Sequence, residues 1–86
     1  MMETRVEFPI PGNDFSLMYE LEKKINSILE AEGLEWQFSE VTFMGLNSRE
    51  IGYKGETSKE EEIKTLGKEY GVEVRVDTFE TDDGEE

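Results

Sequence analysis

The sequence contains no cysteine and no histidine, and these two absences exclude several classes of function. Without cysteine, neither a disulfide framework nor a thiolate metal site is possible. Without histidine, the chain lacks the commonest general base, a common metal ligand and the usual switch near neutral pH. No grouping of nucleophile, base and oxyanion donors is recognisable either. We therefore expect no cofactor, no metal and no enzymatic activity.

Long hydrophobic runs are also missing. No stretch approaches the about 20 apolar residues of a membrane-spanning helix. The N-terminal residues 1–5 lack a basic region followed by an apolar segment. We expect no membrane partner and a cytoplasmic location. Because 86 residues are few for even one domain, we expect a single α+β domain over residues 1–79 and a disordered acidic tail over residues 80–86.

Basic residues are scarce: 9 of them stand against 22 acidic residues, which gives a formal net charge of −13. Such a surface repels nucleic acid and anionic lipid and attracts a basic partner. The charge is uneven, since residues 1–33 sum to −4, residues 34–55 to −1 and residues 56–86 to −8. The acidic pole is therefore C-terminal.

The first third of the chain predicts a strand followed by a helix. Three apolar residues alternate with polar ones, as in a half-buried strand: Val6, Phe8 and Ile10. Pro9 predicts that pairing on one side stops near this point. Asn13 and Asp14 are good N-cap residues, and Gly33 ends the helix. The helix has one apolar stripe: Leu17, Met18, Leu21, Ile25, Ile28 and Leu29.

The next strand changes the parity of its apolar residues. They first share one face: Leu34, Trp36 and Phe38. They then share the other: Val41 and Phe43. A β-bulge near Ser39-Glu40 accounts for the change, and two short strands joined by a tight bend are the alternative. We expect Trp36 in the core.

The second half of the chain predicts a strand, a helix and a strand. Ile51 and Tyr53 indicate the third strand. Ser58 and Glu61 have the spacing of a capping box, which predicts the start of a second helix. That helix has a short apolar stripe, Ile63, Leu66 and Tyr70, and ends at Gly71. The fourth strand follows: Val72, Val74 and Val76.

The order strand, helix, strand, strand, helix, strand indicates a ferredoxin-like βαββαβ two-layer sandwich, with two helices on one face of a four-stranded antiparallel sheet. Strand one is central in this arrangement, and Pro9 is an unusual residue for a central strand. The loop over residues 52–58 has two glycines before a helix, as phosphate-binding loops do. It lacks the P-loop spacing, and its nearby glutamates repel phosphate, so we interpret it as a turn.

Two groups of residues are candidates for binding a partner. The acidic candidates are Glu56, Glu60, Glu61, Glu62 and Glu69. The apolar candidates are Val41, Phe43 and Phe79. Because large aromatics are more often buried than exposed, a bulge that returns Val41 and Phe43 to the core is the favoured interpretation. If they are exposed on the open face of the sheet, the apolar residues form a protein-binding patch. The otherwise charged open face lacks the aromatic motif and basic field of RNA-recognition modules, so we expect no direct nucleic-acid binding.

The hypothesis that follows is a non-enzymatic acidic interaction protein that binds a basic protein, with an inhibitor that mimics nucleic acid as one form of it. The competing interpretation of the charge is a surface that only solubilises the chain. The alternative function is a small regulatory or structural module that self-associates, through a sheet edge or through Val41 and Phe43, and binds a small ligand. We expect a monomer or a weak homodimer.

Overall fold

The architecture comes from a computed structural model that describes residues 1–43 and 47–81. Within those residues the elements are β1 Met2–Pro9, α1 Phe15–Ala31, β2 Glu35–Thr42, β3 Ser48–Lys54, α2 Glu60–Glu69 and β4 Arg75–Glu80, with a 3-10 turn at Pro11–Asn13. The four strands pair antiparallel in the order β2-β3-β1-β4. This is the predicted ferredoxin-like two-layer sandwich, and it is confirmed.

The core lies between the two helices and one face of the sheet. The predicted stripe of α1 supplies four buried residues, and α2 supplies Ile63. Alternate residues of the strands complete the core: Val6, Phe8, Ile51, Tyr53 and Val76, with Val74 just before β4. The sheet's opposite face carries the residues that alternate with these, so it is the open face of the sheet.

Pro9 fits the central strand because the backbone groups of β1 alternate between its two neighbours. Met2 accepts a hydrogen bond from Gly55, just beyond β3, whereas Met1 accepts one from Thr81, just beyond β4. Since bonded residues alternate in an antiparallel ladder, even-numbered residues of β1 bond to β3 and odd-numbered ones to β4. The β1–β4 pairing ends at Glu7. The missing N–H of Pro9 therefore costs no ladder hydrogen bond.

Both helices end as their glycines predict. Gly33 follows α1 with φ +101°, and the Leu34 N–H donates to the Leu29 carbonyl at 3.0 Å. Gly71 follows α2 with φ +75°, and the N–H of the next residue donates to the Gly67 carbonyl at 3.1 Å. Both are Schellman motifs. At the other end of α1, the carboxylate of Asp14 accepts the N–H of Ser16 at 2.8 Å, so the predicted N-cap is present.

The predicted capping box of α2 is wrong. Ser58 does not cap the helix, because the carboxylate of Glu32, at the end of α1, accepts both the Ser58 N–H at 2.8 Å and its hydroxyl at 2.6 Å. Thr57 donates to the same carboxylate at 2.6 Å, and its Oγ1 accepts the N–H of Lys59, the residue before α2, at 2.9 Å. These hydrogen bonds lower the pKa of Glu32, and the one from the Ser58 hydroxyl has the largest effect.

The bulge in β2 exists, but it lies two residues before the predicted position. The β2–β3 register shifts between Trp36 and Phe38, so Gln37 is the extra residue. Because the shift comes earlier, Phe38 pairs with Gly52 and lies on the open face. Trp36 stays on the helix side of this edge strand and is 46% exposed, so the expectation that it is a core residue is wrong.

The C-terminal strand lies further along the chain than predicted, because it begins at Arg75, after Val72 and Val74. It includes Glu80, which pairs with Met2, and the Thr81 N–H donates to the Met1 carbonyl at 2.8 Å. The predicted tail was to begin at residue 80, so its first two residues belong to the sheet or continue its pairing. The rest of that tail, residues 82–86, lies outside the described residues.

Candidate protein-binding surfaces

Most of the chain's cations are already neutralised by intramolecular ion pairs. Five of the nine form an ion pair within 4.0 Å: Arg5, Lys24, Arg49, Lys64 and Arg75. Within residues 1–43 and 47–81, by contrast, ten exposed carboxylates form no ion pair within that distance: Asp14, Glu30, Glu35, Glu40, Glu56, Glu61, Glu62, Glu69, Glu73 and Asp77. The excess negative charge is thus carried by groups that face solvent.

The acidic candidates from the sequence lie on α2 and beside its ends. Glu61 and Glu62 are exposed in the first turn, where the helix dipole favours carboxylates. Glu60 differs, because it binds Lys64 at 2.9 Å and raises the pKa of that lysine. Glu56 is exposed in the loop before α2, and Glu69 is exposed in its last turn. Six of the ten unpaired carboxylates belong to residues 56–77.

A groove of about 700 Å³ runs between α2 and β4. The helix contributes one polar side of it: Glu60, Glu61, Lys64, Thr65 and Lys68. The segment after the helix contributes the other side and the floor: Gly71, Val72, Glu73, Val74, Arg75, Val76 and Asp77. The groove therefore has a valine-rich floor and a charged rim, along the outer side of an edge strand.

The three apolar candidates do not form one patch. Val41 is partly buried and packs against the core, so the alternative in which the bulge turns it inward applies to this residue. Phe43 is 66% exposed beyond the end of β2. Phe79 is 37% exposed on the open face of β4, which is the opposite edge of the sheet.

A cluster on the open face was missed by sequence reasoning. The Arg5 guanidinium lies 5.0 Å from the ring centre of Phe38 and 5.3 Å from that of Phe79. It also forms ion pairs with Glu3 at 3.2 Å and Glu50 at 3.5 Å. Such cation–π contacts stabilise the phenyl rings on a face that is otherwise charged. The sign of this cluster in the sequence was the change of parity in β2. Parity alone does not show that the bulge comes before Phe38, which is what places this ring on the open face.

A second unforeseen network lies between α1 and the β2 edge. Glu22 binds Arg49 at 2.8 Å and accepts the Ser39 hydroxyl at 2.5 Å, and both members of the ion pair are nearly buried. The indole N–H of Trp36 donates to Ser39 Oγ at 3.0 Å. Arg49 also lies 5.3 Å from the ring centre of Tyr19. The network thus contacts two exposed aromatic side chains, Trp36 and Tyr19.

Neither a metal centre nor a membrane span is found in the described part of the chain. Residues 1–43 and 47–81 contain no group of three or more His, Cys, Asp or Glu side chains arranged to hold a metal ion. Over the same residues, neither helix is long and apolar enough to cross a membrane.

No family model matches this chain. No curated protein matches it either. Among solved structures, an ACT domain protein from Streptococcus pneumoniae superposes with a TM-score of 0.66 at 12% sequence identity. The match covers 90% of this chain and 89% of that one. At such low identity the likeness shows a shared fold, which agrees with the strand order described above.

Proposed function

We propose that the protein is a non-enzymatic interaction protein that binds a basic partner through the carboxylates on and around α2. The observation that carries the proposal is the concentration of six exposed, unpaired carboxylates in residues 56–77: Glu56, Glu61, Glu62, Glu69, Glu73 and Asp77. An inhibitor that occupies a nucleic-acid-binding groove by charge mimicry is the most specific form of this proposal.

Unpaired carboxylates favour such a role for an electrostatic reason. A carboxylate that is already neutralised, such as that of Glu60, adds little to the field around the molecule. Glu61 and Glu62 have no neutralising cation within 4.0 Å among the described residues, so their field extends into solvent. A field of this kind speeds the approach of a basic partner, and added salt weakens it.

The first experiment identifies and characterises the partner. Affinity capture from native lysate, with and without added nucleic acid, is expected to recover basic proteins and to lose them in competition with nucleic acid if mimicry operates. The association rate of the captured partner is then measured at low and moderate salt. We expect the rate to fall as salt rises, and a rate that does not change with salt contradicts the proposal.

Charge-matched variants locate the binding surface. Glu61→Gln/Glu62→Gln removes two unpaired carboxylates of α2, whereas Glu30→Gln/Glu40→Gln removes two from other elements at the same cost in net charge. We expect the α2 pair to slow association several-fold more than the control pair. Equal slowing would mean that only the total charge matters and that α2 is not the docking site.

The second candidate function is a self-associating module, and the exposure of Phe43 favours it. A large apolar side chain that is 66% exposed is a candidate for burial in an interface. Sedimentation at two concentrations tests this function. A concentration-dependent mass that Phe43→Ser abolishes would support it, and a strict monomer at both concentrations would exclude it.

A further inference from the structure

The outer edge of β4 presents a row of backbone groups that no described residue binds. In β4, the residues that pair with odd-numbered positions of β1 direct their N–H and C=O groups inward. The residues between them, Val76, Thr78 and Glu80, direct these groups away from the sheet. Since β4 is last in the strand order, no further strand of the described chain covers them. A free edge of this kind can pair with another extended segment.

The two edges of the sheet differ in how well they are protected. The β2 edge carries a bulge at Gln37, and bulges disrupt the regular pattern that an incoming strand needs. The β4 pairing has no register shift over its six residues. The β4 strand also borders the groove beside α2. The valine-rich floor of this groove can receive side chains from a strand that pairs with the edge. The β4 edge is therefore the better docking site of the two.

The charges at this groove select a basic occupant. Lys64 is neutralised by Glu60, and Arg75 is paired with Glu7. The unpaired charges that remain along the groove are three carboxylates and one cation: Glu61, Glu73, Asp77 and Lys68. A second copy of this chain is a poor occupant, because each copy carries a net charge of −13 and the two would repel one another.

We propose that β4 binds an extended segment of the partner, rich in lysine or arginine, as an additional antiparallel or parallel strand. Alternate side chains of that segment enter the groove beside α2, while the others lie toward Phe79 on the open face. Backbone hydrogen bonds to Val76 and Thr78 supply the docking geometry, and the unpaired carboxylates select for positive charge. This inference rests on the proposed function and specifies the form of its partner.

Two peptide probes separate strand addition from simple charge attraction. The first is a peptide of about ten alternating lysine and valine residues, which is long enough to span the strand. The second is the same peptide N-methylated at every residue, with equal charge and no backbone N–H donors. Binding to the full chain is measured by titration, and amide hydrogen exchange is followed at Val76 and Thr78. We expect slower exchange at both amides and about tenfold weaker binding of the methylated peptide.

The result also separates this inference from the proposed function. Equal binding of the two peptides would overturn strand addition and leave the acidic docking surface in place. Binding of neither peptide at low salt would contradict both. Protection of Val76 and Thr78 that rises with protein concentration in the absence of peptide would mean that a second copy occupies the edge, and it would overturn the inference.

A pair of variants at Thr78 tests the edge by changing the protein and keeping the peptide probes the same. Thr78→Pro removes an outward N–H, whereas the bonds between β4 and β1 use its neighbours, and proline is tolerated on edge strands. Thr78→Val keeps the N–H and is the control. Circular dichroism first establishes that both variants are folded. We then expect Thr78→Pro, but not Thr78→Val, to bind the unmethylated peptide no more tightly than the methylated one. Equal affinity of the two variants for that peptide would overturn the inference.

Discussion

The carboxylate of Glu32, at the end of α1, accepts hydrogen bonds from both the backbone N–H and the hydroxyl of Ser58, 26 residues later in the chain. This contact joins the end of one helix to the loop that leads into the other. It thereby fixes where α2 begins, and α2 is the helix that carries the proposed acidic docking surface. The residue that positions this surface lies on a different element.

Glu32→Gln is expected to destabilise the protein. Hydrogen bonds to a charged group contribute about 1.5–3 kcal/mol, and a neutral amide cannot accept all the donors that this carboxylate serves. We expect a loss of about 1–2 kcal/mol in the free energy of unfolding, measured by urea denaturation. The control is Glu30→Gln on the same helix, an exposed carboxylate without an ion pair, for which a change within about 0.5 kcal/mol is expected. Equal effects of the two substitutions would contradict this role.

The contribution of Glu32 depends on pH in a defined direction. Its hydrogen bonds lower the pKa in the folded state, so the stabilisation is fully present above the unfolded-state value of about 4.3. It is lost as the pH falls through the lower folded-state pKa. The stability difference between the native chain and Glu32→Gln should therefore be constant near neutral pH and shrink in acid. A difference that grows as the pH falls below 4 would have the wrong sign.

The Glu22–Arg49 ion pair is expected to be far more costly to break than to replace. Its two side chains are only 10% and 11% exposed. Removing one partner of a buried pair typically costs about 3–5 kcal/mol, because the other charge remains without compensation. We expect Arg49→Met to approach that range and Glu22→Leu/Arg49→Met to be less destabilising than the single change.

The lone tryptophan provides the measurement for this prediction. Trp36 is linked to the ion pair through Ser39, so its emission is expected to shift when Glu22 is replaced. Urea unfolding followed by the same fluorescence gives the stabilities. A double variant that is less stable than Arg49→Met would show that the pair is not acting as an isolated buried charge pair.

Gly52→Ala is expected to destabilise the protein through a clash on the open face. A Cβ at this position would lie 2.1 Å from Cε1 of Phe38, whose ring covers the glycine. Overpacking of this kind typically costs about 1–3 kcal/mol. In a Phe38→Ala background the clash is absent, so the same substitution should be much less harmful. Additive effects of the two substitutions in thermal unfolding would contradict the contact.

The sequence predicted the features that depend on local chemistry. Alternation and helical spacing identified the strands and both helices, and Gly33 and Gly71 marked the helix ends because only glycine adopts their positive φ easily. Even Pro9 agreed with the fold once the alternation of hydrogen bonds along β1 was known. These signals lie within a few residues of the structure that they determine.

The predictions that were wrong concern features that depend on contacts between residues distant in the sequence. Ser58 has the spacing of a helix cap, but its N–H and hydroxyl donate to the charged carboxylate of Glu32 on another element. This contact replaces the local capping box with Glu61. The parity change in β2 showed that a bulge exists, but either side of Phe38 satisfies the pattern. Its position is set by Gly52, which leaves room for the ring, and by Arg5, which attracts it. Neither partner is visible from β2 alone.

The acidic candidates are a different case. The excess of carboxylates in the C-terminal part is a count of residue types, so composition gives it directly. Composition could not distinguish Glu60, which is neutralised by Lys64, from Glu61 and Glu62, which are not. It also gave no indication of the groove beside β4, because a groove depends on how α2 packs against the sheet.

Because the backbone hydrogen bonds of β1 alternate between its two neighbours, hydrogen exchange at the amides of β1 reports separately on the β3 and β4 pairings. A local opening that detaches β4 would leave the amides of Glu3, Arg5 and Glu7 unprotected while those of Thr4, Val6 and Phe8 stay bonded to β3. Loss of β3 would produce the reverse pattern. Exchange rates read at successive residues of one strand can thus tell which half of the sheet opens first.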